Sequence, residues 1–178
     1  DLECRHCTAS ATHRSIVFGE GDPGARVMLV GEAPGAEEDR SGRPFVGKAG
    51  ELLERMIAAV GWERSDVYIA NVLKTRPPEN RTPLPDEVAH CGPWLASQIA
   101  VVQPSVIVAL GGTPAKHLLG TSTGITRLRG IRAEIVVAGR AVAVLPTFHP
   151  AYVLRQYTEE VRRAVWEDLK QAVAIAGD

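Results

Sequence analysis

Three side chains with complementary chemistry each stand at, or just beyond, the end of a short apolar run. They are Glu32, Asn71 and His149. A carboxylate can orient or deprotonate water, an amide can both donate and accept hydrogen bonds, and an imidazole can donate to an oxygen that gathers charge. An amide with both capacities can read the adjacent carbonyl and N–H groups of a pyrimidine edge. The three residues together predict a pocket for a planar heterocycle.

The segments that carry these residues predict an α/β fold. Apolar runs of strand length alternate with stretches of helical periodicity, which is typical of βαβ units around a parallel sheet. Strands are predicted at residues 27–30, 66–71, 105–110 and 141–145, and helices at 49–60, 85–102 and 159–176, with a further one ending near 119. Parallel strands place all their carboxyl ends at one edge of the sheet. Glu32, Asn71 and His149 are therefore expected to lie side by side.

The loop after the first strand adds two further candidates. An acidic stretch at residues 37–39 is followed by SGRPFVG, residues 41–47, which holds Phe45 between glycines. The aromatic ring offers a flat face for stacking, and Glu38 is a second candidate for handling water. In the alternative, structural interpretation, the acidic stretch is a solvated turn and Phe45 fills a small core.

Length and composition predict an ordinary globular protein. The chain has 178 residues, of which 45% are hydrophobic and 23% charged, so we expect one domain over residues 1–178. No apolar run approaches the roughly 20 residues that cross a bilayer, and the chain does not open on a basic and then apolar leader. A formal net charge of −1 argues against binding nucleic acid by bulk charge alone. We expect a cytoplasmic monomer.

The spacing of the cysteines indicates a metal site. Cys4 and Cys7 are separated like a pair of metal ligands, and Cys91 would have to join them through folding. Three cysteines are an odd number for a disulfide framework, and with no secretory leader a cytosolic, reducing compartment is expected. The alternative for Cys91 is a small buried residue. The glycine pair at 111–112 lacks the spacing of a dinucleotide or P-loop signature, so no nucleotide cofactor is expected.

Three longer motifs stand out in the chain: GEAPGAEEDRSGRPFVGKAGELL at 31–53, NVLKTRPPENRTP at 71–83 and LPTFHPAYVLR at 145–155. They resemble the motifs of the family 4 uracil-DNA glycosylases, the iron–sulfur branch of the uracil-DNA glycosylase superfamily. They occur in the family's order and register from Cys4 to about Arg155. The resemblance implies a three-layer αβα sandwich around a central four-stranded parallel sheet. It also implies a DNA repair enzyme that hydrolyses the N-glycosidic bond of deoxyuridine, releasing uracil and leaving an abasic site.

The resemblance assigns roles to individual residues of the pocket. Its substrate-binding positions are Gly31, Glu32, Ala33, Gly35, Phe45, Asn71 and His149. Phe45 would stack on the base, Asn71 would read its Watson–Crick edge and so refuse cytosine, and His149 would donate to the O2 carbonyl. Glu32 is the first candidate for managing the attacking water, with Glu38 as a helper.

The resemblance also implies contacts with uracil-containing DNA, single- or double-stranded, from which the base is flipped. The expected wedge and phosphate contacts are Lys74, Arg76, Arg81, Val153, Leu154 and Arg155. Some relatives trap uracil-DNA covalently through a histidine in a basic insertion after the asparagine motif. This chain has no such insertion, which favours release of free uracil.

The expected [4Fe–4S] cluster meets one departure from the family pattern. Such proteins hold the cluster with four cysteines; Cys4, Cys7 and Cys91 match, but Thr75 stands at the fourth family position. A threonine hydroxyl is a poor ligand for soft iron. The cluster is then held by three cysteines and an unusual fourth ligand, or is labile, or is absent; His90 is a nearby alternative ligand and zinc an alternative occupant.

Thr75 leaves a second class of function open. A non-catalytic uracil- or DNA-binding α/β module of the same fold would keep the rim residues without turnover. The intact set of Glu32, Phe45, Asn71 and His149 favours the enzyme.

Overall fold

In the part of the chain that the structure describes, six strands form one mixed sheet in the order β1-β3-β2-β4-β6-β5. A computed structural model describes residues 13–177, so the predicted ligands Cys4 and Cys7 lie outside the described residues. The strands are β1 (Glu20–Gly21), β2 (Val27–Gly31), β3 (Val67–Asn71), β4 (Val106–Leu110), β5 (Ala133–Val137) and β6 (Arg140–Thr147). The central strands β3, β2, β4 and β6 run parallel to one another, and β1 and β5 pair antiparallel at the two edges.

Helices cover both faces of the sheet. They are α1 (Ala36–Ser41), α2 (Lys48–Ala59), α3 (Pro85–Val102), α4 (Gly112–Leu119), α5 (Ile125–Leu128), α6 (Pro150–Arg155) and α7 (Glu159–Gly177). Alternate residues of each central strand point to opposite faces. Leu29 packs in a core with α2 and α7, whereas the neighbouring Met28 packs in a second core with α3 and α4. The predicted three-layer αβα class is therefore confirmed.

The sheet has two more strands than expected. The predicted four-stranded parallel sheet forms its centre, where each strand has a continuous buried run. The two added strands lack a continuous buried run. Strand β1 is only two residues long and contains no apolar residue, and β5 alternates between half-buried and exposed positions because it is an edge strand. A two-residue turn at Ala138 and Gly139, both with positive φ, joins β5 to β6 as a hairpin.

The acidic stretch after β2 is a short helix, α1, so the interpretation as a solvated turn is wrong. Glu37, Glu38 and Asp39 fall in its first turn, where carboxylates are favourable near the unpaired N–H groups. Asp39 is buried and accepts hydrogen bonds from the backbone N–H groups of Arg14 and Ser15. This helix therefore ties the preceding segment to the loop beyond β2.

Within residues 13–177, none of the helices combines the length and the apolar character needed to cross a bilayer.

Candidate active site

A cavity of about 540 Å³ opens at the carboxyl edge of the parallel strands. This volume lies within the usual range for small-molecule sites. Six of the seven predicted substrate-binding residues line it: Glu32, Ala33, Gly35, Phe45, Asn71 and His149. Strands β3 and β4 lie on opposite sides of β2, so the chain crosses β2 between them. The cavity lies at this crossover, which is the kind of switch point at which open α/β sheets bind ligands. The sequence-predicted residues therefore converge.

Gly31, the seventh predicted residue, lies behind the cavity and keeps two of its walls close together. It pairs with Asn71 across β2 and β3. A Cβ at this position would come within 2.4 Å of Asn71 Oδ1 and 2.5 Å of Phe45 Cζ. Only glycine therefore allows the amide and the aromatic ring to approach the same strand end.

Asn71 presents an unsatisfied acceptor. Its side chain is 2% exposed, and its Oδ1 is a buried side-chain oxygen without a hydrogen-bond partner among the described residues. An unpaired buried amide oxygen is costly, by about 1–3 kcal/mol. Its backbone carbonyl accepts from Lys74 Nζ at 2.7 Å, which fixes the residue at the strand end. The geometry is that of an amide held ready for a ligand donor.

His149 is a neutral donor at this site. Its Nδ1 accepts the backbone N–H of Ala151 at 3.0 Å, so the ring proton of the neutral imidazole is on Nε2. Burial lowers the pKa of His149 from 6.5 to about 4, and the positive charge of Arg155 adds to the decrease. The imidazole is therefore uncharged at neutral pH, with an N–H that remains available to a ligand oxygen.

Phe45 is held in a strained backbone conformation beside His149. Its φ of 50° lies in the left-handed region, which is unusual for an aromatic residue. Arg64 stabilises this turn by donating to the carbonyl oxygens of Pro44 and Phe45. Gly50 allows α2 to approach the backbone of Phe45 closely, since a Cβ at Gly50 would lie 1.9 Å from Phe45 O. The ring centroids of Phe45 and His149 are 5.7 Å apart.

Glu38 is occupied by backbone donors. Its Oε2 accepts from the N–H of Gly35 at 3.0 Å, and its Oε1 accepts from the N–H groups of Val46 and Gly47 at 2.9 Å each. These bonds join the start of α1 to the loop that carries Phe45. The carboxylate lines the cavity, but its described bonds give it the role of a brace.

Glu32 has a different environment. It follows β2 directly and lines the cavity. Its Oε2 accepts from the hydroxyl of Thr113, at the start of α4. One oxygen of the Glu32 carboxylate thus accepts a hydrogen bond from the side chain of Thr113, and the residue forms part of the cavity wall.

Two of the predicted DNA contacts are wrong. Lys74 is 3% exposed, and its ammonium donates to the carbonyl of Asn71 and to Gln98 Oε1 at 2.6 Å, so it cannot reach a phosphate. Burial lowers the pKa of Lys74 to about 7. Val153 is 2% exposed and packs in the core beneath α6, so it cannot be a wedge.

The remaining predicted DNA contacts lie at the surface. Leu154 is 37% exposed on α6. Arg155 and Arg81 line the cavity, and Arg81 is also paired with Glu87 through two hydrogen bonds. Arg76 donates to Asn80 Oδ1 at 2.6 Å in the adjacent loop. Arg81 and Arg155 therefore border the cavity, and Leu154 and Arg76 each precede a cavity-lining residue in the sequence.

The described residues only partly fit the expected cluster. Cys91 and Thr75 are both buried, and within residues 13–177 no three His, Cys, Asp or Glu side chains are grouped as metal ligands. The described part of the family's ligand set is thus one thiol and one hydroxyl. Thr75 does not fit as an iron ligand, because a hard neutral oxygen binds soft iron poorly.

Sequence reasoning missed the residues that support the site. Arg64 and Thr113 act through contacts with residues 19 and 81 positions away, and no local pattern indicates such contacts. The sequence does indicate Gly111, because it belongs to a glycine pair at a strand end. Its φ is 105°, and a Cβ there would lie 3.1 Å from His149 Cβ. That glycine serves the turn and the close approach to His149.

Known proteins resemble this chain over nearly its whole length. A type-4 uracil-DNA glycosylase of Thermotoga maritima is 46% identical over 171 residues, covering 96% of this chain and 88% of that protein. A type-4 uracil-DNA glycosylase of Archaeoglobus fulgidus is 42% identical over 180 residues, covering 99% and 89%. A type-5 uracil-DNA glycosylase of Pyrobaculum aerophilum is 33% identical over 207 residues, covering 99% and 90%.

A family model supports the same assignment. The model of the uracil DNA glycosylase superfamily matches residues 18–170, which include every described element that borders the cavity. The chain therefore belongs to the uracil DNA glycosylase superfamily.

Proposed function

We propose that this chain is a uracil-DNA glycosylase of the type-4 branch, which hydrolyses the N-glycosidic bond of deoxyuridine in DNA. The observation that carries the proposal is the buried Oδ1 of Asn71 at the wall of the cavity, which has no hydrogen-bond partner within residues 13–177. The higher identity to type-4 relatives than to the type-5 relative supports the branch.

Base recognition follows from the amide of Asn71. Uracil presents an N3–H donor beside the O4 acceptor, so the N3–H supplies the hydrogen bond that Oδ1 lacks while the amide NH₂ donates to O4. Cytosine presents an acceptor at N3 and a donor at C4, so both contacts would face like groups. When the wrong ligand leaves buried polar groups of a site unpaired, the site can favour the right ligand by a factor of about 10⁴–10⁵ in kcat/KM.

Bond cleavage needs stabilisation of the departing base. As the bond between C1′ and N1 breaks, its electron pair moves into the uracil ring and negative charge gathers on O2. The Nε2–H of neutral His149 is assigned to donate to that oxygen, and the ring of Phe45 to stack on the base. Glu32 is assigned to orient the water that adds to C1′ and to accept its proton. Glu38 is reassigned from helper in catalysis to a brace for the Phe45 loop.

DNA binding is assigned to the mouth of the cavity. A uracil must leave the stack to reach Asn71, at a cost of a few kcal/mol. Leu154, exposed on α6, is the proposed wedge into the vacated space, and Arg76, Arg81 and Arg155 are the proposed phosphate contacts. Single- or double-stranded uracil DNA is the proposed partner, and the cytoplasmic, monomeric state stays a prediction.

An iron–sulfur cluster is proposed as a structural group. Cys4, Cys7 and Cys91 would supply three thiolates, and the position of Thr75 would leave one iron without a protein thiolate. No step of the reaction passes through this group. Such a cluster should be lost more readily than one held by four cysteines.

The glycosylase is tested with an oligonucleotide that contains one deoxyuridine. Incubation with the purified chain followed by alkali should cut the strand at that position, and a matched thymidine oligonucleotide should stay intact. Glu32→Gln should slow the cut without weakening binding of the oligonucleotide. The non-catalytic alternative predicts retention of the uracil oligonucleotide in a binding assay with no alkali-labile site, and that result would refute the proposal.

A further inference from the structure

Thr113, which is not part of the cavity lining, holds the carboxylate of Glu32. Its Oγ1–H donates to Glu32 Oε2, and Glu32 lines the cavity in front of it. We infer that Thr113 is a positioning residue that fixes the Glu32 carboxylate for its action on the attacking water. This inference rests on the glycosylase proposed above.

Sheet topology brings the two residues together. Strands β2 and β4 are parallel neighbours, paired at Val30 and Ala109, so the segments that follow them leave the sheet side by side. Gly111, with its φ of 105°, turns the chain sharply from β4 into α4. The turn places Thr113 in the first turn of that helix, facing the residue that follows β2.

The bond restricts the rotation of the Glu32 side chain. A glutamate loses considerable rotamer entropy when it is ordered, whereas a β-branched threonine has few χ1 rotamers to lose. A hydrogen bond to an ionised oxygen is stronger than a neutral one. Because Oε2 is engaged, Oε1 is the oxygen that we assign to the water.

Glu38 shows why Glu32 in particular depends on a side chain. Three backbone N–H groups hold the carboxylate of Glu38, and replacing a single side chain by another non-proline residue leaves these donors in place. The described hydrogen bond to the Glu32 carboxylate comes from one hydroxyl, which a single substitution removes. The two acidic residues of the pocket can therefore be tested separately.

The test compares Thr113→Val, which removes the donor at similar size, with Thr113→Ser, which keeps it. Release of uracil from a single-stranded oligonucleotide with one deoxyuridine is followed under single-turnover conditions at several protein concentrations. Thr113→Val should lower the maximal rate about tenfold to a hundredfold. The half-saturating concentration should change less than about twofold, and Thr113→Ser should stay within about threefold of the wild type.

A matched control and a double-mutant cycle separate positioning from general damage. Thr123 serves as the control: its hydroxyl accepts a hydrogen bond from Thr121, and it is not part of the cavity lining. Thr123→Val should therefore leave the rate of uracil release unchanged. In a Glu32→Ala background, Thr113→Val should add less than about a twofold loss, because the group it positions is gone. Thermal unfolding of each variant is measured, and Thr113→Ala replaces Thr113→Val in the same cycle if the valine variant does not fold.

Three results would overturn the inference. They are a wild-type maximal rate in Thr113→Val, a serine variant as slow as the valine variant, and an equal loss from Thr113→Val with and without the Glu32 side chain. Each of them requires an active wild-type chain. A wild-type chain that releases no uracil would instead overturn the proposed function.

Discussion

Replacing His149 by alanine tests the assigned stabilisation of the leaving base. The substitution removes the neutral Nε2–H that is assigned to uracil O2. Loss of one donor to a developing oxyanion costs about 10²–10³ in rate, or about 2.7–4 kcal/mol. His149 is half-buried in the cavity wall with its Nδ1 bonded to the backbone of Ala151, so we expect little loss of DNA affinity. His149→Ala should therefore cleave at least about a hundredfold more slowly and bind within about threefold of the wild type.

The assay is single-turnover uracil release, with DNA binding measured by fluorescence anisotropy on an oligonucleotide with a non-cleavable deoxyuridine analogue. The pKa of His149 is lowered to about 4, so its titration should leave the wild-type rate flat between about pH 5 and 8. A charged donor would instead make the rate fall as pH rises through its pKa. A His149→Ala chain that cleaves at the wild-type rate would refute the assigned role.

The same lowered pKa has a consequence for folding stability. Between about pH 4 and the unfolded value of 6.5, the unfolded state binds more protons at His149 than the folded state does. Stability from this group is therefore complete above about pH 6.5 and is lost as pH falls toward 4, by about 3 kcal/mol. Denaturant unfolding at several pH values should show this loss in the wild type relative to His149→Ala. Equal pH dependence of the two proteins would contradict the lowered pKa.

Three further substitutions test separate parts of the site. Asn71→Asp removes the amide donor to O4, so uracil release should fall by about a hundredfold or more and cytosine release should become measurable. An unchanged preference for uracil over cytosine would count against the proposed base recognition. Gly31→Ala places a methyl group against Asn71 and Phe45, so calorimetry should show a lower Tm, by several degrees for about 1–3 kcal/mol of overpacking, and release should slow; an unaltered Tm would contradict the close packing. Thr75→Cys supplies a fourth thiolate, so iron and sulfide content and visible absorption after dialysis against a chelator should exceed those of the wild type; equal retention would argue against the assigned ligand position.

Sequence reasoning located the parallel strands because each carries a continuous apolar run. The first predicted strand differs from β2 by a single residue at its carboxyl end. Such a run is typical of strands buried on both faces, and it also fixes which polar residues follow at the rim. The sequence alone therefore predicts that the pocket residues Glu32, Asn71 and His149 lie together.

The errors have two physical origins, a long-range contact and the direction of side chains on a helix. Lys74 is predicted to contact phosphate, but Gln98, 24 positions away, supplies an acceptor that allows its burial. Val153 is predicted as a wedge together with Leu154, but neighbours in a helix face different directions, and α6 buries the valine and exposes the leucine. The turn at Phe45 and the brace at Glu38 likewise depend on bonds between one side chain and backbone groups elsewhere in the sequence.

The most direct measurement compares uracil release from three oligonucleotides that carry deoxyuridine, N3-methyldeoxyuridine or deoxycytidine at the same position. Asn71 Oδ1 is assigned to the N3–H of uracil, so only deoxyuridine should be converted to an alkali-labile site at an appreciable rate. Release of the N3-methylated base as fast as uracil, or no release from any of the three, would contradict the assignment.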